Sequence, residues 1–198
     1  NKNKDVSFVV PLGVGSHLKK WGVSSSRITE MDWWENKVIK DINFICTPAQ
    51  HFSGRKGFVE TQKSLWASWV VKSGKRSFYF SGDSGYSKHY KEIGKKYGPL
   101  ELVFMDSGQY NTRWRSVHNM PDEVIKGFID VKGENLIPIH WGMFTLAMHN
   151  WFDPPVEIEK RAKEQNISLI TPIIGQVIDM ENLIVSESWW EKLIDLVK

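Results

Sequence analysis

Asn43-Phe-Ile-Cys-Thr-Pro-Ala-Gln-His51, Ser77-Phe-Tyr-Phe-Ser-Gly-Asp83-Ser-Gly-Tyr86 and Leu136-Ile-Pro-Ile-His140-Trp-Gly142 share one pattern: an apolar run that ends on a His or an Asp. Short apolar runs rich in β-branched and aromatic residues predict buried strands. A strand that stops at an ionisable residue sets that side chain at a sheet edge, where sites are usually built. Edges supplying His, Asp and His, in that order, offer the donor types of a hydrolytic metal centre.

Around these segments the chain reads as hairpins followed by strands alternating with helices. Ser7 to Val10 predicts a short strand ending at Pro11, Gly15 to Trp21 a short helix closed by Gly22, and Arg27 to Trp34 an extended stretch. Val38 to Thr47 contains a strand after a turn at Asn36, and Ser53 to Gln62 reads as a loop. Leu65 to Val71 and Ser77 to Ser81 make the clearest hairpin, turning through Lys72-Ser-Gly-Lys-Arg76. Ser87 is placed to cap a helix with Tyr90, Ile93 and Tyr97 on its apolar side and Gly98-Pro99 as its stop. Leu102 to Met105 and Leu136 to Ile139 predict strands. Pro121 opens a helix with the stripe Val124, Ile125, Phe128 and Ile129, and Asp153-Pro154 opens another that runs to Gln165. Ile173 to Asp179 reads as extended, and Ser188-Trp-Trp-Glu191 as a capping box leading an amphipathic helix with Leu193, Ile194 and Val197. Together these predict an α/β fold, with a sheet covered by helices on one side.

Composition narrows the function classes. The 198 residues fit one domain or a large part of one, and 41% hydrophobic with 25% charged residues is ordinary for a globular protein. The net charge of +3 is mild and the Lys and Arg are scattered, so no nucleic-acid groove is expected. The single Cys46 sits in an apolar run and reads as a small core residue, compatible with a reducing compartment. No apolar run approaches the length of a membrane span. These features favour a cytoplasmic or membrane-associated location, with peripheral membrane contact. Gly13-Val-Gly15 lacks the third glycine and the following apolar helix of a dinucleotide fingerprint.

Each candidate ligand, taken alone, has a plain alternative. Gly82-Asp-Ser-Gly85 is also an ordinary turn, although its small residues let the backbone turn sharply beside a bulky centre. His51 alone reads equally as a structural histidine. His140 lies in apolar surroundings and needs a partner there, a metal or a backbone carbonyl. Jointly, with these flanks and in this order, the three point to a metal site. His89 falls on a helix face expected to be solvated.

Several segments resemble the metallo-β-lactamase superfamily, and within it the branch of phospholipases D that hydrolyse N-acylphosphatidylethanolamine. They are Val10-Pro-Leu-Gly13, Glu30-Met-Asp-Trp-Trp-Glu35, Thr47-Pro-Ala-Gln-His51, Leu65-Trp-Ala-Ser-Trp69, Gly82-Asp-Ser-Gly-Tyr86, Glu92-Ile-Gly94 and Ile139-His-Trp-Gly142. The resemblance implies His51, Asp83 and His140 as metal ligands, with Asp83 as a bridging carboxylate that takes part in catalysis. It implies two zinc ions, with iron or manganese as substitutes. It also implies His118 as a catalytic residue near the active site, contacting substrate or the leaving group, although its local sequence reads equally as the lead-in to a helix, and Gln109 and Tyr110 as substrate contacts.

The family's His-x-His-x-Asp-His motif does not occur in these residues. The resemblance therefore implies that residues 1–198 are the C-terminal half of a metallo-β-lactamase-type αββα sandwich. The N-terminal part, on a cleaved or separate chain, would be the partner that supplies the remaining ligands and covers an apolar sheet face. The implied activity is hydrolysis of a phospholipid or other phosphodiester through a hydroxide held by both metals, in the completed protein and not in this chain alone. The competing expectation is a non-catalytic half-fold module that binds a protein partner.

Overall fold

The computed structural model of the protein describes residues 3, 5–54, 63–108, 110–145, 147–183 and 188–194. Two short strands, β1 (Phe8–Pro11) and β2 (Ile28–Met31), pair in parallel around helix α1 (Val14–Lys20). The main sheet has seven strands in sequence order: β3 (Asn36–Ile39), β4 (Ile42–Thr47), β5 (Ser68–Ser73), β6 (Arg76–Phe80), β7 (Leu100–Asp106), β8 (Gly133–Ile139) and β9 (Ser168–Leu169). The first four are antiparallel neighbours. From β6 onward the pairing is parallel, through helices α2 (His89–Tyr97), α3 (Pro121–Asp130) and α4 (Asp153–Glu164). A parallel neighbour needs a crossover, and helices supply it.

The three helices share one face. Strand residues Ile45, Val70, Tyr79, Val103, Met105 and Leu136 form a single core with Tyr90 and Ile93 of α2, Val124 and Phe128 of α3, and Ile158 of α4. The period of two along each strand sends the alternate residues to the opposite face. There Leu102 and Ile137 pack with Phe78, Phe104 and Ile139 under Ile170, Ile178, Met180 and Leu183. Towards β4 that cover ends, and Phe44, Trp69, Val71 and Phe80 line an open groove of about 540 Å³.

Several expectations are corrected. Val38 to Thr47 contains a strand as expected, β4, but Asn36 opens β3 rather than a turn, and the chain turns instead at Lys40, whose φ of 53° lies in the left-handed region. The β5–β6 hairpin turns through Gly74-Lys75 alone, with Ser73 opposite Arg76 and Gly74 at φ 56°. Glycine adopts that φ without strain. Ser87 does not cap α2: the N-cap is Lys88 and no side chain caps it. Ser188 gives its hydroxyl to Glu159 of α4 rather than to a capping box, and a last helix, α5, spans Glu191–Ile194. Ile129 faces outward, and Ile173 to Asp179 joins no strand of the sheet. Ser53-Gly54 has no regular structure, and residues 55–62 and Val197 lie outside the described residues. Among the described residues no helix is long and apolar enough to cross a membrane.

Cys46 is fully buried, as expected; burial, with the charges of Asp32 and Glu35, pushes its thiol up to about 12 and keeps it protonated. His89 reverses its expectation. It is 5% exposed, packed on the Tyr90 ring with Nε2 3.4 Å from Ser84 Oγ, and burial pushes its pKa down to about 4. Below pH 6.5 the unfolded chain takes up a proton there that the folded chain refuses, so stability falls as pH drops towards 4. In the protein carrying this chain, His89→Phe should flatten the urea-stability profile over that interval by up to about 1.4 kcal/mol per pH unit.

Candidate metal centre

Sheet topology gathers the predicted residues at one end. β6, β7 and β8 run parallel and finish together, since Phe80 lies opposite Phe104 and Asp106 opposite Ile139. β4 ends there too, because β5 starts opposite its C-terminus, with Thr47 paired to Ser68. The residues just past these ends, His51, Asp83 and His140, meet His118 in an open cleft of about 440 Å³, walled by Phe52, Trp114 and Val117.

Asp83 Oδ1 stands 3.6 Å from His140 Nε2. That is too long for a hydrogen bond. It suits two donors of one metal, since ligands ~2.0–2.1 Å from a tetrahedral zinc are ~3.3 Å apart. The His118 and His140 rings stack with centroids 5.3 Å apart, and His51 meets His118 edge-on at 5.5 Å. His51 directs Nδ1 at the carbonyl of Phe52, 2.9 Å away, which leaves Nε2 as the nitrogen that could meet a metal. Neutral imidazoles and carboxylates in this arrangement are a suitable donor set for a divalent metal.

One member of the cluster is absent from the sequence reading. Asp106, the last residue of β7, is fully buried beneath the cleft. Its Oδ2 accepts hydrogen bonds from His118 Nδ1 at 2.7 Å and the Ser84 amide at 3.0 Å, and its Oδ1 lies 3.6 Å from His140 Nδ1. Among the described residues, Asp106, His118 and His140 bring ligating atoms within 4.8 Å of one another. The available signal was the run Leu102-Val-Phe-Met-Asp106, which ends on a carboxylate as the other three runs end on their ligands. For His118, burial acts to lower the pKa, but the hydrogen bond and charge of Asp106, with the charge of Asp83, outweigh it and raise the net value.

The predicted substrate contacts lie elsewhere or beyond view. Tyr110 is not among the cleft-lining residues; its ring stacks on His149 at 4.3 Å. Burial, with the charges of Asp153 and Glu157, pushes the Tyr110 hydroxyl up to about 12. Gln109 lies outside the described residues.

The beta-lactamase superfamily domain matches residues 1–141. The chain belongs to the metallo-β-lactamase superfamily. An uncharacterized protein of Mycobacterium tuberculosis is 38% identical over 186 residues, 92% of this chain and 50% of its own length. The N-acyl-phosphatidylethanolamine-hydrolyzing phospholipase D 1 of Caenorhabditis elegans is 32% identical over 192 residues, 89% of this chain and 54% of that protein. The chain thus spans about half the length of these curated relatives and falls in the branch that contains the phospholipase D. A metallo hydrolase from the archaeon Ignicoccus hospitalis superposes with a TM-score of 0.66 over 86% of this chain and 66% of its own, at 14% identity, a likeness of fold.

Membership of this superfamily accounts for a divalent-metal cleft at the sheet end, and a tight backbone contact holds that end together. A Cβ on Gly108 would sit 1.5 Å from the His140 carbonyl oxygen, whereas one on Gly142 would meet nothing within 4 Å. Gly108→Ala should therefore push β8 away from β7 and lower both stability, by about 3 kcal/mol or more, and metal retention. Gly142→Ala, strained only by its φ of 82°, should cost about 1 kcal/mol and retain metal. Urea melts and elemental analysis of the two variants check this.

Proposed function

We propose that the protein carrying this chain is a metal-dependent phosphodiesterase acting on phospholipid, with cleavage of the phospholipase D type. The observation that carries the reading is the cleft itself: Asp83 and His140 confront each other at 3.6 Å, with His51 and His118 beside them, in a chain similar to a phospholipase D along most of its length.

His51, Asp83 and His140 would hold two zinc ions together with ligands from an upstream part of the fold. Bound metal supplies an activated water and neutralises charge on the phosphoryl oxygens. The chain's own residues do the rest. Asp83, half exposed at the cleft with an oxygen facing His140 Nε2, would be the carboxylate among the residues that hold the ions. His118 is held by Asp106 at Nδ1, so its Nε2 faces the departing oxygen and, in the imidazolium form that Asp106 favours, would pass its proton there. Phe52, Trp114 and Val117 give the cleft an apolar wall suited to the lipid part of a substrate. Exposed Met143, Phe144 and Met148 follow His140 closely in sequence and suit contact with a membrane surface.

The apolar groove under Trp69, Val71 and Phe80 supports the companion reading that residues 1–198 are one portion of a larger domain. An upstream half of the same fold, on a cleaved or separate chain, would seat there and bring the remaining ligands. The protein completed by its upstream half should release phosphatidic acid from N-acylphosphatidylethanolamine vesicles, stop when chelated, and recover with zinc. Asp83→Asn should lower the rate by more than about 10²-fold. A completed protein that binds metal yet cleaves no phosphodiester would contradict the substrate class. One that binds no metal would leave the binding-module reading in its place.

A further inference from the structure

We propose that Asp106 is the positioning residue of this centre: a buried carboxylate that faces Nδ1 of both His118 and His140 and so presents the Nε2 atom of each to the cleft. The inference rests on reading the cleft as a metal centre.

The geometry separates Asp106 from the residues that face the cleft. Asp83 is half exposed and aims an oxygen at His140 Nε2, on the cleft side of that ring. Asp106 has no exposure and meets His140 at Nδ1, on the opposite side of the same ring, at 3.6 Å. The two carboxylates thus bracket one imidazole. Its Nδ1 side is turned to the interior and its Nε2 side to the cleft. His118 is held more tightly, by a 2.7 Å hydrogen bond from Nδ1 to the other oxygen of Asp106, where the His140 contact is electrostatic. The two rings stand nearly parallel, 20° apart, as expected of imidazoles anchored on one carboxylate.

Asp106 itself is fixed from several sides. Its amide donates to Ser81 Oγ, and its carbonyl accepts from Asn119 Nδ2, whose other contact is Tyr90 Oη in the core. Ser84, next to Asp83, donates its amide to Asp106 Oδ2 and accepts the Gln50 amide on its hydroxyl. The carboxylate is therefore connected to the segments bearing Asp83, His118 and His140 directly, and to the one bearing His51 through Ser84. A metal-bound imidazole is commonly oriented by a carboxylate on its other nitrogen, and losing that partner costs metal affinity about 10–100-fold.

Two measurements on the complete protein test this. In the metal-free wild type at pH 8, nitrogen-15 spectra of the histidine rings should show Nδ1–H at His118 and His140. A neutral imidazole in water favours Nε2–H, so folding alone does not produce this pattern; the neutral tautomer with Nε2–H and bare Nδ1 at either residue overturns the proposal. This arm needs no variant and no metal, and it decides the role of Asp106 even if the cleft proves not to bind metal. In the second arm, Asp106→Asn should bind cobalt(II) at least about 10-fold more weakly, with an altered visible spectrum, yet reach wild-type stoichiometry at saturation. Unchanged affinity and spectrum would overturn the positioning role. A metal equivalent lost at every concentration would make Asp106 a ligand and overturn it too.

Discussion

A carboxylate without solvent governs the end of this sheet. Asp106 is fully buried, and an ionised carboxylate stripped of water costs several kcal/mol unless donors surround it. The chain supplies them from distant positions: His118 Nδ1, the Ser84 amide, and Gly108 two residues on, whose amide lies 3.5 Å away. Each donor lies in a loop that also carries or adjoins a cleft residue. Satisfying the buried charge and assembling the centre are therefore one structural event. The 1.5 Å approach that any Cβ on Gly108 would make to the His140 carbonyl shows how little slack remains.

The sheet explains why these loops can meet. Three parallel strands that finish together, with β4 running the same way and ending at the same edge beyond β5, gather loops separated widely in sequence. In open α/β sheets the carboxyl ends of parallel strands are the usual place for ligands. The two faces are unequal. Helices seal one with a continuous core, while the other is covered by the 170–183 segment at β7 and β8 and lies open around Trp69 and Phe80. The metal cleft and the open face belong to the same chain, which is what a portion of a two-sheet domain would present.

Much of this was legible in the residues. Runs that end on His51, Asp83 and His140 need only strand periodicity and a polar stop to be found, and the structure draws all three to one cleft. Pro121 marked the start of α3, and the β5–β6 hairpin lay where its aromatic runs and Gly74 placed it. The misses have a common cause. Asp106 ends a run just as the others do, but its importance lies in partners 12 to 34 residues away, which local pattern cannot reveal. His89 sits among polar neighbours in sequence and looks solvated, yet its helix face packs against Ser84 and Tyr90. Burial of a polar side chain is a tertiary fact, and periodicity registers it only when the neighbours on that face are apolar.

The most direct measurement is an anomalous diffraction map at the zinc edge from crystals of the complete protein grown with zinc. The account predicts density between Asp83 and the Nε2 atoms of His51 and His140, within ~2.2 Å of each bound donor, with Asp106 outside the coordination sphere. An empty cleft, or a metal held by Asp106 with Asp83 free, would contradict it.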